Sequence, residues 1–424
     1  MEILLADRIK NLGSESAFEV LNHAKKLEAK GMDVVHLEIG QPDFDTPSHI
    51  SETACNAINS GDTHYSPAQG EAYLREALAK HIKKYKNVNT NAEEIVVVPG
   101  GKPVMFYTML ALVNPGDEVL YPNPGFPIYE SLINFTGGVP VPVPVLQEND
   151  FKYKADVIES LITDKTKLLI INSPGNPTGG VMEEEDIRAI AEVLERHPNV
   201  FVLSDEIYDR LCHGNAKPFS MAAIPEMKDR TIILDGFSKP YSMTGWRIGY
   251  GVMHKEIAKA MTTLMVNSNS CVAAFTQQAA LSALEGPQDI VEEMKNAYKE
   301  RLEYVVSQLN KIEGISCLMP QGSFYAFPSI EGLMDNDKEF QTRLLEEAGV
   351  AVLPGSSFGV YGKGHVRLSA ATSMEVLEEA VKRIARFAEK IRKENKNVIR
   401  FNKKSSVIFS FDCSNEELAK VTEA

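Results

Sequence analysis

A chain of 424 residues outgrows a single hydrophobic core, so one large domain and a smaller one are expected. Hydrophobic residues make up 44% and charged residues 24%, and the apolar segments are broken by charges or by Gly and Pro, which excludes a membrane-spanning run. A formal charge of −14 disfavours nonspecific attraction to nucleic acid or to an anionic membrane, while allowing a local basic pocket for a small anion.

The N-terminus, Met1 to Arg8, has an acid at position 2 and too short an apolar stretch for a signal peptide, so a cytoplasmic location is expected. Cys55, Cys212, Cys271, Cys317 and Cys413 form no Cys-x-x-Cys pair, so buried thiols are expected, with no structural zinc site, no other metal and no disulfide framework.

From Ile95 onward, apolar strand-like runs alternate with amphipathic stretches, the pattern of an α/β sheet covered by helices. Ile95 to Val98 reads as a strand ended by Pro99-Gly100-Gly101, followed by a helix to Leu112 and, after an Asn-Pro-Gly-Asp turn, by a strand from Glu118 to Tyr121. Leu168 to Ile171, Val200 to Leu203 and Thr231 to Leu234 are three more strands, each running into a polar loop. In an open α/β sheet, such loops at the carboxyl ends of strands build the ligand site. Residues 288–312 read as a long helix. Ile315 to Leu318, Phe324 to Phe327 and Val350 to Leu353 read as short strands of a smaller α+β unit, closed by a helix from Met374 to Lys393. Beyond Glu394 the chain turns polar, then offers an apolar patch from Val407 to Phe411 before an acidic end.

The sharpest local feature runs from Asp235 to Tyr250. Lys239 at a strand exit, eight positions before Arg247 in a small-residue loop, offers an amine nucleophile beside a cationic phosphate anchor, and a nearby positive charge and desolvation favour the neutral amine. Two surface charges on a loop would look the same in isolation. Asn172 to Gly180 is a rigid Pro/Gly loop that holds Asn176 at the end of a buried strand, or simply a turn. In Ser204-Asp205-Glu206-Ile207-Tyr208, a strand ends on a carboxylate able to keep a heterocyclic nitrogen protonated, with a phenol three residues on; a helix cap would also explain Asp205. Pro99-Gly100-Gly101-Lys102 opens a helix whose free amides could bind a phosphate, although it is neither a Walker loop nor a dinucleotide fingerprint. Arg367 lies in an apolar strand and needs an anion, either an internal carboxylate or a substrate carboxylate gripped by two hydrogen bonds.

In this order, and together with Leu37 to Pro47 and Tyr65-Ser66-Pro67-Ala68-Gln69-Gly70, these elements resemble the class I and II pyridoxal phosphate-dependent aminotransferases of fold type I, over Ala17 to Lys390. The resemblance implies a large domain with a mostly parallel central sheet covered by helices, plus a smaller α+β domain. It implies that Lys239 holds the cofactor as a Schiff base and shuttles the substrate proton. Asp205 pairs with the pyridine nitrogen, Tyr208 and Asn176 bond the phenolic oxygen, and Phe126 stacks on the ring. The phosphate sits on Gly101 and Lys102, with Ser238 and Arg247 nearby and Tyr65 reaching over from a second subunit, which makes a homodimer with shared sites. Arg367 grips the substrate α-carboxylate, with Asn176 and the backbone of Gly40 beside it. Three positions depart from the usual pattern: Gly236 stands where relatives carry Ser or Thr, Pro240 follows the lysine, and Pro103 stands where Gln is common.

The expected function is therefore amino-acid transamination between an L-amino acid and a 2-oxo acid, with carbon–sulfur β-elimination, amino-acid oxidation and non-catalytic cofactor binding as rivals. A regulatory protein of this fold would carry an upstream DNA-binding module, which is not expected here. The expected division is an N-terminal segment 1–47 packing with the small domain, a large cofactor domain 48–290, a small domain 291–392 and an unassigned extension 393–424. The substrate side chain stays open: an acidic one would call for a second basic residue, with candidates near the N-terminal segment and residues 266–271, Asn267 to Ser270 suggest a polar surface from one subunit, and a carboxylate from Glu15 or Glu19 facing the pocket would repel acidic substrates.

Overall fold

The computed structural model describes residues 3–408. Helix α1 (Ser16–Glu28) and the short strand β1 (Val35–His36) precede α2 (Ser48–Asn59) and α3 (Ala72–Lys86). The central sheet then begins with β2 (Ile95–Val98), α4 (Lys102–Leu112), β3 (Glu118–Asn123), α5 (Ile128–Thr136) and β4 (Val139–Pro144). It continues with α6 (Ala155–Leu161), β5 (Thr166–Asn172), α7 (Glu184–Glu195), β6 (Phe201–Asp205), α8 (Pro225–Lys228), β7 (Thr231–Gly236) and β8 (Gly249–Val252). These seven strands pair in the order β2-β8-β7-β6-β5-β3-β4; β8 runs antiparallel to its neighbours and the rest are parallel. In β2 and β5 a near-continuous apolar sequence goes with burial on both faces: Ile95–Val98 and Leu168–Ile171 are shut off from water.

Local chemistry sets the ends of the helices. α4 takes Pro103 in its first turn, where a missing N–H costs no intrahelical bond. α5 stops at Gly137, whose φ of 81° is in the left-handed region. α7 opens with a capping box in which the Glu183 amide donates to Asp186 Oδ2 at 2.9 Å.

α9 (Lys255–Ser268), α10 (Ala274–Glu285) and the long α11 (Asp289–Leu309) lead into the smaller unit, made of β9 (Tyr325–Ala326), α12 (Asp337–Ala348), β10 (Val350–Ala351), β11 (Leu353–Pro354), β12 (Val366–Ser369) and α13 (Met374–Ile408). β9, β11 and β12 form a small antiparallel sheet, and β10 pairs in parallel with β1. Val35 and Leu37 accordingly share a core with Leu302, Phe340 and Ile384, so the N-terminal segment is tied to the last quarter of the fold.

Three expectations need correction, the first being that of buried thiols: Cys55 is exposed, Cys212 and Cys271 are half-buried, and among the described cysteines Cys317 alone is buried. Ile315 to Leu318 forms no strand, only an isolated bridge at Ser316, because its polar backbone is satisfied by a side chain: Asn310 Nδ2 donates to the Cys317 carbonyl at 2.9 Å and Asn310 Oδ1 accepts from its amide at 2.8 Å. The closing helix does not stop at Lys393 but continues to Ile408. The apolar patch expected up to Phe411, and Cys413, extend outside the described residues. No described helix is long and apolar enough to cross a membrane.

Candidate active site

The carboxyl ends of β5, β6 and β7 lie side by side, and the residues just beyond them face one cavity of about 320 Å³. β7 delivers Ser238 and Lys239, β6 delivers Asp205 and Tyr208, and the loop after β5 delivers Asn176. Gly40, Gly101, Lys102, Phe126, Arg247 and Arg367 complete the expected set in the same cavity walls. Tyr65 does not join them; it is 89% exposed and does not line the cavity of its own chain.

Lys239 Nζ donates to the Gly40 carbonyl at 2.6 Å. Burial of the amine, helped by Arg367 and Arg247, draws its pKa down to about 8, so a useful neutral fraction exists near neutrality. Asp205 is buried and accepts from Tyr129 Oη at 2.6 Å and from the Ile207 amide at 3.3 Å. Burial pushes Asp205 up to about 6 against the opposing pull of these bonds. Asn172 braces the corner, its Nδ2 donating to the Asp205 carbonyl at 3.2 Å and its Oδ1 accepting from the Asn176 amide at 2.9 Å.

Arg367 is buried above the Tyr325 ring, 4.3 Å from its centroid. One Nη donates to Asn176 Oδ1 at 3.0 Å and the other to the Glu38 carbonyl at 2.6 Å, while Nε has no partner among the described residues. Neither acceptor is anionic, so of the two readings open from the sequence, a missing external anion fits this guanidinium. Tyr208 and Tyr325 share a hydroxyl–hydroxyl contact of 3.0 Å. Gly40 is required where it stands, since a Cβ there would lie 2.0 Å from the Tyr325 hydroxyl.

At the other end, Gly101 opens α4 with no side chain capping its amides. Gly100 has a φ of 84°, and a Cβ on it would fall 2.2 Å from an Arg247 guanidinium nitrogen, which therefore lies against the helix start. Free amides facing a guanidinium make an anion cradle. Gly236, the departure from the usual hydroxyl, has its own cause: a Cβ there would approach the Gly249 Cα to 3.0 Å across the β7–β8 pair.

Sequence reasoning missed Tyr129 and Tyr325, and also a buried cluster just outside the cavity. There Lys86 reaches Glu206 at 2.9 Å, Asp235 at 3.0 Å and the Asp209 carboxylate. Its signal was available: Leu74, Leu78, Ile82 and Lys86 recur every four residues, so the lysine ends a buried helical stripe. Glu15 proves to line the cavity and to pair with Lys102, whereas Glu19 only accepts from Ser14 Oγ at 3.1 Å. Of residues 266–271, Ser268 and Asn269 contact Tyr107 Oη at 2.5 and 2.7 Å and do not line the cavity.

The family model for aminotransferase class I and II matches residues 32–384. The chain belongs to the class I and II aminotransferases. It is 42% identical over 392 residues to the aspartate aminotransferase of Geobacillus stearothermophilus, an alignment covering 91% of this chain and 99% of that one. Its fold superposes with a TM-score of 0.88 on the aspartate aminotransferase of Rhizobium meliloti, at 35% identity and covering 92% of this chain and 99% of the other. With the aromatic aminotransferase of Pyrococcus horikoshii the TM-score is 0.83, at 39% identity over 88% and 99% of the two chains. This aminotransferase is thus an enzyme that moves amino groups between amino acids and 2-oxo acids with pyridoxal phosphate, and the lyase, oxidase and non-catalytic readings are disfavoured.

The residues present fit that cofactor. The cavity is lined by four basic side chains, Lys102, Lys239, Arg247 and Arg367, against two acidic ones, Glu15 and Asp205. The uncapped start of α4 and the partnerless Arg367 Nε both await anions, as a phosphate and a substrate carboxylate would supply.

Proposed function

We propose that Lys239 would hold the cofactor through its amine and, when free of it, would move the proton at the substrate Cα. The observation that carries this reading is the convergence of an amine drawn down to about 8, a buried carboxylate and a half-satisfied guanidinium in one cavity. When bound, pyridoxal phosphate supplies an electron-withdrawing ring that accepts the electron pair left by Cα deprotonation. Asp205 keeps that ring nitrogen protonated, and a cation beside it would draw its raised pKa back down. Asn176 spends its oxygen on Arg367, which leaves Nδ2 free to donate to the cofactor phenolic oxygen together with Tyr208. Phe126 covers the ring, the amides of Gly101 and Lys102 with Ser238 and Arg247 hold the phosphate, and Arg367 takes the α-carboxylate beside Gly40.

The same proposal makes the enzyme a homodimer in which Tyr65 serves the partner's site. Its loop is fixed by Ser66 Oγ donating to the Val272 carbonyl at 2.9 Å and by Gln277 Nε2 donating to Ser66 Oγ at 2.8 Å, yet the phenol itself stays exposed on its own chain. We divide the chain into segment 1–47, large domain 48–290 and small domain 291–392, with 393–424 as an extension; the core shared by Val35, Leu37 and Leu302 supports grouping the first with the third. Among the described residues four cysteines are unpaired, which favours a reducing compartment, the cytoplasm.

Absorbance of the loaded enzyme with amino acid alone tests the chemistry. Loss of the long-wavelength cofactor band on adding a donor, and its return with a 2-oxo acid, is the expected result. A band that ignores every amino acid would overturn the assigned roles.

A further inference from the structure

We infer that Glu15, by capping Lys102, sets the substrate side-chain pocket to prefer uncharged amino acids over aspartate and glutamate. The inference rests on the site roles just proposed and comes from a count of charges. Of the four basic residues lining the cavity, Lys239 is committed to the cofactor, Arg247 to the phosphate and Arg367 to the α-carboxylate. Among the described residues of this chain, that leaves Lys102 as the one lining cation able to meet a second carboxylate. Its amine already has one, from Glu15. Glu15 immediately precedes α1, where an acid can accept from free helix amides, but it makes no such bond and turns to Lys102 instead.

Phe18, Ile39, Met105, Leu353 and Phe358 give the wall apolar surface, beside the uncharged polar Ser16, Gln41 and Thr244. A substrate side chain without charge loses nothing there and gains burial. A dicarboxylate must either face the Glu15 carboxylate, with like charges a few ångström apart, or displace it from its lysine. Lys102 is 52% exposed and Glu15 21%, so solvent weakens the pair and the discrimination is on the order of tenfold rather than a thousandfold.

The test compares the loaded wild type with Glu15→Gln, using two unreactive acids, succinate and 3-phenylpropionate, whose dissociation constants are read by calorimetry. Wild type is expected to bind 3-phenylpropionate more tightly, and Glu15→Gln to tighten succinate about tenfold while leaving 3-phenylpropionate within about twofold. kcat/KM for aspartate relative to phenylalanine should rise by a similar factor. Adding Lys102→Met to Glu15→Gln should cancel the succinate gain, and Glu15→Ser serves as a second way to free the lysine. A wild type that already prefers succinate, or a variant in which both acids weaken together as a purely structural role of Glu15 would require, overturns the inference. Failure of every amino acid to change the cofactor band would instead sink the assigned reaction roles, and the two binding constants would still report on the Glu15–Lys102 pair.

Discussion

Asp205 ends β6 and Glu206 follows it, yet Asp205 lines the cavity while Glu206 meets Lys86, and the two surroundings differ in kind. On the Glu206 side every buried charge is answered within the chain. Glu206 accepts from Ser204 Oγ and Ser220 Oγ, both at 2.7 Å, and meets Lys86; Tyr250 Oη donates to Asp235 at 2.9 Å. Burial works against the Lys86 charge, but Asp209, Asp235 and Glu206 together outweigh it and hold Lys86 protonated, well above the ordinary lysine value. On the Asp205 side the charges are left open, with Lys239 bonded only to a carbonyl and Arg367 short of an anion. A buried charge answered by its own chain holds the fold together, and one left unanswered marks where something else binds.

The sharpest way to break this contrast is to remove one lysine from each side. On the roles proposed for Lys239, Lys239→Ala should lower turnover by about 10⁴-fold or more, because both the covalent hold and the proton carrier would go, while stability stays the same or rises. Borohydride trapping followed by peptide mass mapping checks it directly: wild type should carry the cofactor on the peptide containing Lys239, and a modified peptide in the variant would refute the assignment. Lys86→Met should do the reverse, costing about 3–5 kcal/mol of stability in a urea titration, because three carboxylates lose their shared cation.

Arg367→Met sharpens the comparison from the open side. The variant should lose about 2–5 kcal/mol in transition-state binding, read as kcat/KM, with its unfolding midpoint unchanged or raised. An Arg367 that proved to be a fold anchor would show the opposite split.

These two sides were not equally legible in the sequence. Asn176, Asp205, Ser238 and Lys239 follow strand ends that the apolar runs reveal, so their meeting at one edge of the sheet follows from α/β topology. Tyr129 meets Asp205 across 76 residues and Tyr325 meets Tyr208 across 117, and no local spacing encodes such contacts. Ile315 to Leu318 has strand composition but spends its backbone on Asn310, a choice that depends on the preceding helix end. Tyr65 was recognisable by its motif alone, and it does not line this chain's own cavity.

The open side also predicts a pH signature. Asp205 rises from 3.8 to about 6 in the folded, cofactor-free protein, so its ionisation opposes folding by at most about 3 kcal/mol, an effect absent below pH 3.8 and complete above about pH 6. Lys239 falls from 10.5 to about 8, so its protonation opposes folding by a similar amount, an effect absent above pH 10.5 and complete below about pH 8. Both act together between about pH 6 and 8. Cofactor binding relieves both, so the gap in Tm between loaded and cofactor-free enzyme should be widest there and narrow on either side. A gap that stayed flat with pH would mean that Asp205 and Lys239 are not the groups the cofactor neutralises.

The smallest expected effect probes how the open side is held ready. Tyr129 Oη is the short donor to Asp205, and it opposes the rise that burial imposes on that carboxylate. In Tyr129→Phe that opposition is lost, so Asp205 should hold its proton to higher pH, and cofactor affinity at neutral pH should fall by about 1.5 kcal/mol, roughly tenfold. Because the phenol acts through Asp205 and touches no reacting atom, the loss should shrink as pH rises and the carboxylate ionises without help. Equilibrium cofactor binding at pH 6 and pH 8 separates this from plain loss of packing, which would weaken binding equally at both.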